Sequence, residues 1–185
     1  NTAIFSVVRG VLLEPLPFRD ADRIVRVWHA HPANGIERGS LSEAEFLDMR
    51  AQSSTVEAMG GYWFMDGLSG LDMTGTGNPE RLSIAVVTDG FFETLGTPAR
   101  YGGPLGPDDQ VEGRNRVVVL SHGFWMRRFG GDPSLVGGTI TLNDEPFHVA
   151  GIMPPGFHYP GERTIDGGIP LSYYGPGDIG RARNT

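Results

Sequence analysis

The chain contains no lysine: all fifteen of its basic residues are arginine. A P-loop needs a Lys on the β/γ-phosphates and Schiff-base chemistry needs a side-chain amine, so both are excluded. Cysteine is also absent, which removes disulfides, thiolate nucleophiles and Cys-ligated zinc. That absence suits an oxidising compartment without requiring one. Positive charge is scarce overall. The formal net charge of −7 argues against nucleic acid or an anionic membrane surface as the main partner. Long apolar runs are missing too, since none approaches the roughly 20 residues of a spanning helix. Ala3 to Leu13 comes nearest and carries Arg9. Neither the basic start nor the cleavage site of a signal peptide is visible.

What is present is the composition of a globular protein, 39% hydrophobic and 20% charged over 185 residues. That length supports one domain with a real core. Glycine (28) and proline (14) are abundant and fall between periodic segments, which marks a loop-rich domain rather than disorder. The chain opens on Asn1 rather than Met, so a longer polypeptide is expected.

Residues 2–13 place Ile4, Val8, Val11 and Leu12 on one stripe, an amphipathic helix stopped by Glu14-Pro15-Leu16-Pro17. The helix either packs on its own domain or is the stub of a longer one. Arg23 to His29 alternates as a half-buried strand, with Ile24, Arg26 and Trp28 on one face. Ser42 and Glu45 form a capping box that opens a helix over about 43–52, with Phe46, Leu47 and Met49 inward and Leu41 stapled on Phe46. A strand is expected around Gly61 to Phe64, followed by a Gly-rich turn region to Asn78-Pro79. Arg81 to Thr88 reads as one buried strand, and Asp89 to Leu95 as a short helix closed by Gly96. Val117 to Leu120 is a strand and His122 to Phe129 a helix stopped by Gly130-Gly131. Thr139 to Leu142 and Pro146 to Met153 flank Asn143-Asp144, a hairpin turn. From Pro154 onward regular structure is expected to fade. The order α-β-α-β-β-α-β-α-β-β predicts an α+β domain, a two-layer mixed sheet with short helices and a C-terminal β-hairpin, truncated.

Candidate sites are few. Strand, Ser121-His122-Gly123, then helix is a geometry hydrolases use for a nucleophile. The nucleophile elbow G-x-S-x-G is absent, however, and Gly67-Leu68-Ser69-Gly70-Leu71 lacks its last glycine. Ser121 and His122 are sequence neighbours that diverge, so Ser121 reads as a helix N-cap. His29 and His31 have a metal-compatible spacing, but only folding could add His148 or His158. They read as solvent-facing residues at a strand end. Asp66, Asp72, Asp89, Asp108 and Asp109 lie in loops or at helix starts, where Asp caps and solvates rather than forming a catalytic pair. Arg127-Arg128 complement a helix C-terminus, with an anion site as the alternative. Gly75-Thr76-Gly77-Asn78-Pro79-Glu80 lacks the third glycine of a dinucleotide fingerprint. No catalytic, cofactor-binding or metal residue is assigned, and no cofactor is expected.

Three segments carry a family resemblance. They are NTAIFSVVRGVLLEPLPFRDADRIVRVW at the start, PERLSIAVVTDGFFETLGTPARYGGPLGPDD in the middle, and RVVVLSHGFWMRRFGGDPSLVGGTITLNDEPFHVAGIMPPGFHYP. In order and spacing they resemble the MacB-type ABC transporter permeases, especially the Acidobacterial-type permeases, over roughly residues 1–171. Gly103 and Gly138 stand where that family usually carries Arg. The resemblance implies residues 1–13 as the end of a transmembrane or membrane-proximal helix, 14–160 as a MacB-like periplasmic core domain, and 161–185 as the start of a missing second half.

It further implies a non-catalytic domain facing the periplasm from the inner membrane. Such a domain couples ATP-driven helix movement to periplasmic events, as in efflux. The partners implied are transmembrane helices of the same permease, a permease homodimer, a cytoplasmic ABC ATPase, and a periplasmic adaptor or substrate protein. Nucleic acid is not among them. Two alternatives stand beside this reading: a small serine hydrolase using Ser121 or Ser69, and a ligand-binding module with its site near residues 60–78.

Overall fold

The computed structural model describes residues 18–31, 35–65, 70–75, 77–161 and 163–174; the helix expected over 2–13 lies outside them. After a 3₁₀ turn at Ala21–Arg23, strands β1 (His29–His31) and β2 (Ile36–Gly39) pair antiparallel. Helix α1 (Glu43–Gln52) follows. Its capping box is complete: the Ser42 hydroxyl accepts the Glu45 N–H, and the Glu45 carboxylate accepts the Ser42 N–H at 2.8 Å. Next come β3 (Tyr62–Met65), β4 (Leu71–Thr74), β5 (Glu80–Leu82), β6 (Ile84–Val87) and helix α2 (Phe91–Leu95), closed by Gly96 in the left-handed region. The remainder comprises β7 (Tyr101–Gly102), β8 (Val117–Leu120), helix α3 (His122–Phe129), β9 (Thr139–Leu142), β10 (Glu145–Ile152) and β11 (Gly167–Pro170). Asn143 and Asp144 both take positive φ, 48° and 62°, the two-residue turn that matches the twist of a hairpin.

Strands β3 to β11 form one mixed sheet in the order β3-β6-β11-β8-β10-β9-β4-β5, with β7 also on β10. The pairs β6–β11 and β8–β10 are parallel. This is the α+β architecture expected. The central strands β6, β8 and β11 are buried along their whole length, because helices and loops cover both faces. Val118 and Leu120 join one apolar cluster with Phe124 and Trp125 of α3. Val117 and Val119 join a second with Phe91, Phe92 and Leu95 of α2. Strand alternation thus assigns each helix its own face.

One residue, Ser83, separates β5 from β6, yet β5 is the last strand of the path and β6 the second. The sheet must therefore roll until its ends meet at Ser83. There the backbone leaves one ladder for another: the Ser83 N–H donates to the Asp166 carboxylate at 3.0 Å, and the Ser83 carbonyl accepts the Asp166 N–H at 2.8 Å. The single strand expected over Arg81 to Thr88 is thus two.

The structure departs from the sequence pattern elsewhere. Of Arg23 to His29, only His29 enters a ladder, and residues 24–28 enter none. Val25 is 76% exposed, so alternation here suits the backbone but finds no partner strand. In α1, Phe46 alone is buried, Met49 is half-buried and Leu47 is exposed. Strands β4, β7 and β11 occupy stretches expected as turns or loop. The most central of them, Gly167-Gly168-Ile169-Pro170, has only Ile169 to favour a strand, against two glycines and a proline. Its glycines are imposed by neighbours: a Cβ on Gly168 would stand 2.5 Å from the Tyr159 hydroxyl.

Candidate functional site

Strand β8 ends on Ser121, where the chain must change from a ladder to helical bonding. The Ser121 hydroxyl accepts the Phe124 N–H at 3.2 Å and so caps α3. The imidazole of His122 points elsewhere, packing edge-on against Trp125 with ring centroids 5.4 Å apart. The sequence neighbours do not form a nucleophile–base pair. Ser69 and Asp66 lie outside the described residues.

The carboxylate nearest this junction is one that sequence pattern did not flag. Asp166 is buried and takes the Ser83 N–H on one oxygen. Its other oxygen faces the Arg127 guanidinium at 3.2 Å. Arg127 reaches on to Glu80 at 2.7 Å, and that hydrogen bond is the main cause of the rise in its pKa above the usual guanidinium value. Arg128 donates to the Asn78 carbonyl at 2.7 Å. These arginines clamp the seam of the rolled sheet instead of facing an incoming anion.

The remaining candidates are dispersed. His29 bonds Glu45 through Nδ1 at 2.8 Å, and the side chain of His31 lies outside the described ones. His148 is exposed on β10 and His158 in the loop that follows it. Among the described residues no three His, Asp or Glu side chains are arranged to hold a metal ion. Asp72 pairs with Arg81 at 2.9 Å, Asp109 accepts the Gly106 N–H at 2.8 Å, and Asp108 sits beside it in a 3₁₀ turn. Each is matched to a local cation or amide, or placed in a turn, and no two form an acid–base pair.

A cleft lies between the end of α1, the start of α2 and the loop leading to β8. It has a volume of about 780 Å³ and is lined by Arg50, Asp89, Phe92, Glu93, Pro98 and Leu105 among others. Arg50 and Asp89 bond at 2.7 Å with about a third of each side chain exposed, tying α1 to α2. Phe92 faces it from the buried side of α2, while prolines stiffen the opposite rim. None of the described residues of the Gly-rich stretch 60–78 lines it. The walls offer mixed charge and apolar surface, which suits binding, and among the described lining residues there is no His.

The stretch that carries these elements, strand, capped helix, hairpin and returning central strand, falls within a family match. The model of the MacB-like periplasmic core domain matches residues 1–179. The chain belongs to that family. Among solved structures, this MacB-like domain is similar to the periplasmic region of MacB from Actinobacillus actinomycetemcomitans, with a TM-score of 0.57 and 16% identity. That match covers 78% of this chain and 62% of the other. It is also similar to the extracellular domain of the noncanonic ABC-type transporter YknZ from Gram-positive bacteria, with a TM-score of 0.55, 13% identity, and coverage of 72% and 64%. The chain therefore spans somewhat less than two thirds of the structures it matches. At identities this low the likeness shows the shared fold alone. No curated protein matches the chain. Among the described residues no helix is long and apolar enough to cross a membrane.

Proposed function

We propose that this MacB-like domain is the extracytoplasmic, non-catalytic part of an ABC transporter permease, facing the periplasm from the inner membrane. Membrane helices driven by a cytoplasmic ATPase move it as a body, and that movement acts on a periplasmic adaptor or a substrate. Residues 1–13 supply the link to the membrane, and the permease works as a homodimer. The observation that carries this reading is the family match over residues 1–179. The rolled sheet supports it, because a close-packed element transmits displacement rather than absorbing it.

The test is made in the full permease, reconstituted with its ATPase in proteoliposomes. Replacing residues 18–174 by a short flexible linker is expected to leave ATP hydrolysis running while transport stops. Transport at the original rate would overturn the reading. The hydrolase alternative is tested with generic esters: turnover that disappears in both Ser121→Ala and His122→Ala would replace a moving body by an enzyme. The ligand-binding alternative draws support from the cleft beside Arg50 and Asp89 rather than from residues 60–78. Saturable binding of an amphiphilic peptide that is lost in Phe92→Ala would favour it.

A further inference from the structure

Residues 18–57 stand apart from the sheet that organises the rest of the chain. Among the described residues β1 and β2 pair only with each other, and the run 18–28 enters no ladder. Helix α1 buries one side chain, Phe46, which joins neither of the two apolar clusters of the core. Among the described residues no backbone hydrogen bond joins 18–57 to the remainder. Attachment is by side chains. Phe18 meets Phe157 edge-on at 6.4 Å, and Ile24 packs against the cluster on the α2 face. The Arg26 Cζ lies 5.1 Å from the Tyr62 ring centroid, and Arg50 reaches Asp89 at 2.7 Å.

The cleft described above lies along this thin boundary. Arg19, Arg50 and Val56 line it from one side, and Asp89, Phe92 and Leu105 from the other. Phe92 and Leu105 are buried and belong to the α2 cluster. The Arg50–Asp89 pair that bridges the two sides is partly exposed, so it contributes little and weakens in salt. Two parts of a chain move against each other unless their boundary is large and apolar. Segments with few buried apolar contacts open at a lower cost than global unfolding. The place of bending is bounded on both sides. Helix α1 ends at Gln52, and residues 53–57 hold neither helix nor strand. Gly60 is already fixed to α2, because a Cβ there would collide with the Phe91 backbone.

We propose that residues 18–31 and 35–52 form a hinged cover over this cleft, pivoting at 53–57 and latched by Arg50 on Asp89. The structure shows the closed form. Swinging away, the cover lifts Phe18 from Phe157 and Arg26 from Tyr62, and it bares Phe92 and Leu105. Helix α1 and the β1–β2 pair travel intact, because the capping box and the ladder that hold them lie within the cover. Opening therefore breaks no backbone hydrogen bond among the described residues. A molecule that fills the cleft and engages Arg50 or Asp89 shifts the balance between the two forms. This goes beyond the role proposed above, which does not depend on it.

Because the chain has no cysteine, introduced thiols report only where they are placed. Spin labels on Leu47→Cys and Val111→Cys, one on the cover and one on the body and both exposed, read the separation of the two parts. Two separations are expected in the full chain. The longer one should gain weight by up to about fivefold in Arg50→Gln and in Asp89→Asn. Raised salt should move the parent in the same direction, which tests the latch even where a substitution disturbs the fold. A thiol at Leu105→Cys should react with a maleimide faster than one at Val119→Cys, in the buried strand β8. The amides of residues 46–52 should keep their protection from exchange throughout. A single separation, unchanged by salt and by both latch variants, overturns the proposal. So does equal reactivity of the two thiols, which would tie access to global unfolding. Loss of α1 protection alongside the longer separation also refutes it, since the event would then be local melting and not the swing of a cover.

Discussion

The Asp166 carboxylate accepts the Ser83 N–H at 3.0 Å, at the one residue where β5 becomes β6. Its other oxygen holds Arg127, which reaches Glu80 on β5. A buried carboxylate thus ties the two ends of the rolled sheet to α3. Removing it leaves the Ser83 N–H without its acceptor, while Arg127 keeps Glu80, and a buried donor without a partner costs about 1–3 kcal/mol. Asp166→Ala is expected to lose about 1–3 kcal/mol in urea unfolding. Asp166→Asn keeps an acceptor for Ser83 and should lose less. An Ala variant as stable as the parent would mean that the seam is held by packing alone.

The parts of this fold legible in the sequence were those whose signals are local. The Ser42–Glu45 capping box, the Asn143-Asp144 turn and the Ser121 cap each need only a few neighbouring residues, and each stands where expected. The strands that escaped notice depend on distant ones. Gly167 and Gly168 join the sheet because Leu120 and Val119 lie on one side and Ile84 and Ala85 on the other. The break at Ser83 needs Asp166, more than eighty residues away. The same holds for the site. Arg50 and Asp89 are ordinary helix-end residues in sequence, and only the packing of α1 on α2 makes them the wall of a cleft. The long strand expected at Arg23 to His29 failed for the converse reason, a correct local pattern with no partner.

Ser121 provides a clean separation of the two readings of its role. As an N-cap, its replacement by Ala should cost about 1 kcal/mol, felt first in α3. Thermal unfolding and amide exchange across residues 122–129 would show it. The same variant is expected to leave any background ester turnover unchanged. A loss of stability without a loss of turnover fits the capping geometry, and the reverse pattern contradicts it.

Tyr159 is buried with its hydroxyl unpartnered, while its ring stacks on Phe91 at 5.8 Å. Burial pushes its pKa well above the usual phenol value, as expected of a group that cannot ionise there. Tyr159→Phe keeps the stack and removes an unsatisfied donor, so unfolding should show unchanged or increased stability, by up to about 1–2 kcal/mol. Gly168→Ala is expected to destabilise, because the new methyl meets that hydroxyl. In the double variant part of this loss should return, since the clash has one partner fewer. Strict additivity would show that the two residues do not touch.

The capping box also predicts a pH dependence of definite sign. Glu45 accepts the Ser42 N–H and hydroxyl and lies beside His29, and the backbone hydrogen bond from Ser42 is the main reason its pKa falls below the ordinary 4.5. A carboxyl whose folded pKa is depressed binds its proton more readily in the unfolded chain. Its contribution is therefore complete above the unfolded value and fades as pH falls through the folded one. The carboxylate is exposed, so the effect is small and should appear first in local helix stability. Amide exchange of residues 45–49, compared between the parent and Glu45→Ala, should differ near neutrality and converge from about pH 5 downward. Replacing Ser42 by Ala should remove only part of that acid limb, because it takes away the hydroxyl and leaves the Ser42 N–H, the larger cause, in place. A difference between parent and Glu45→Ala that stays constant through the acid range would place the stabilisation in the side chain's stem and not in its charge.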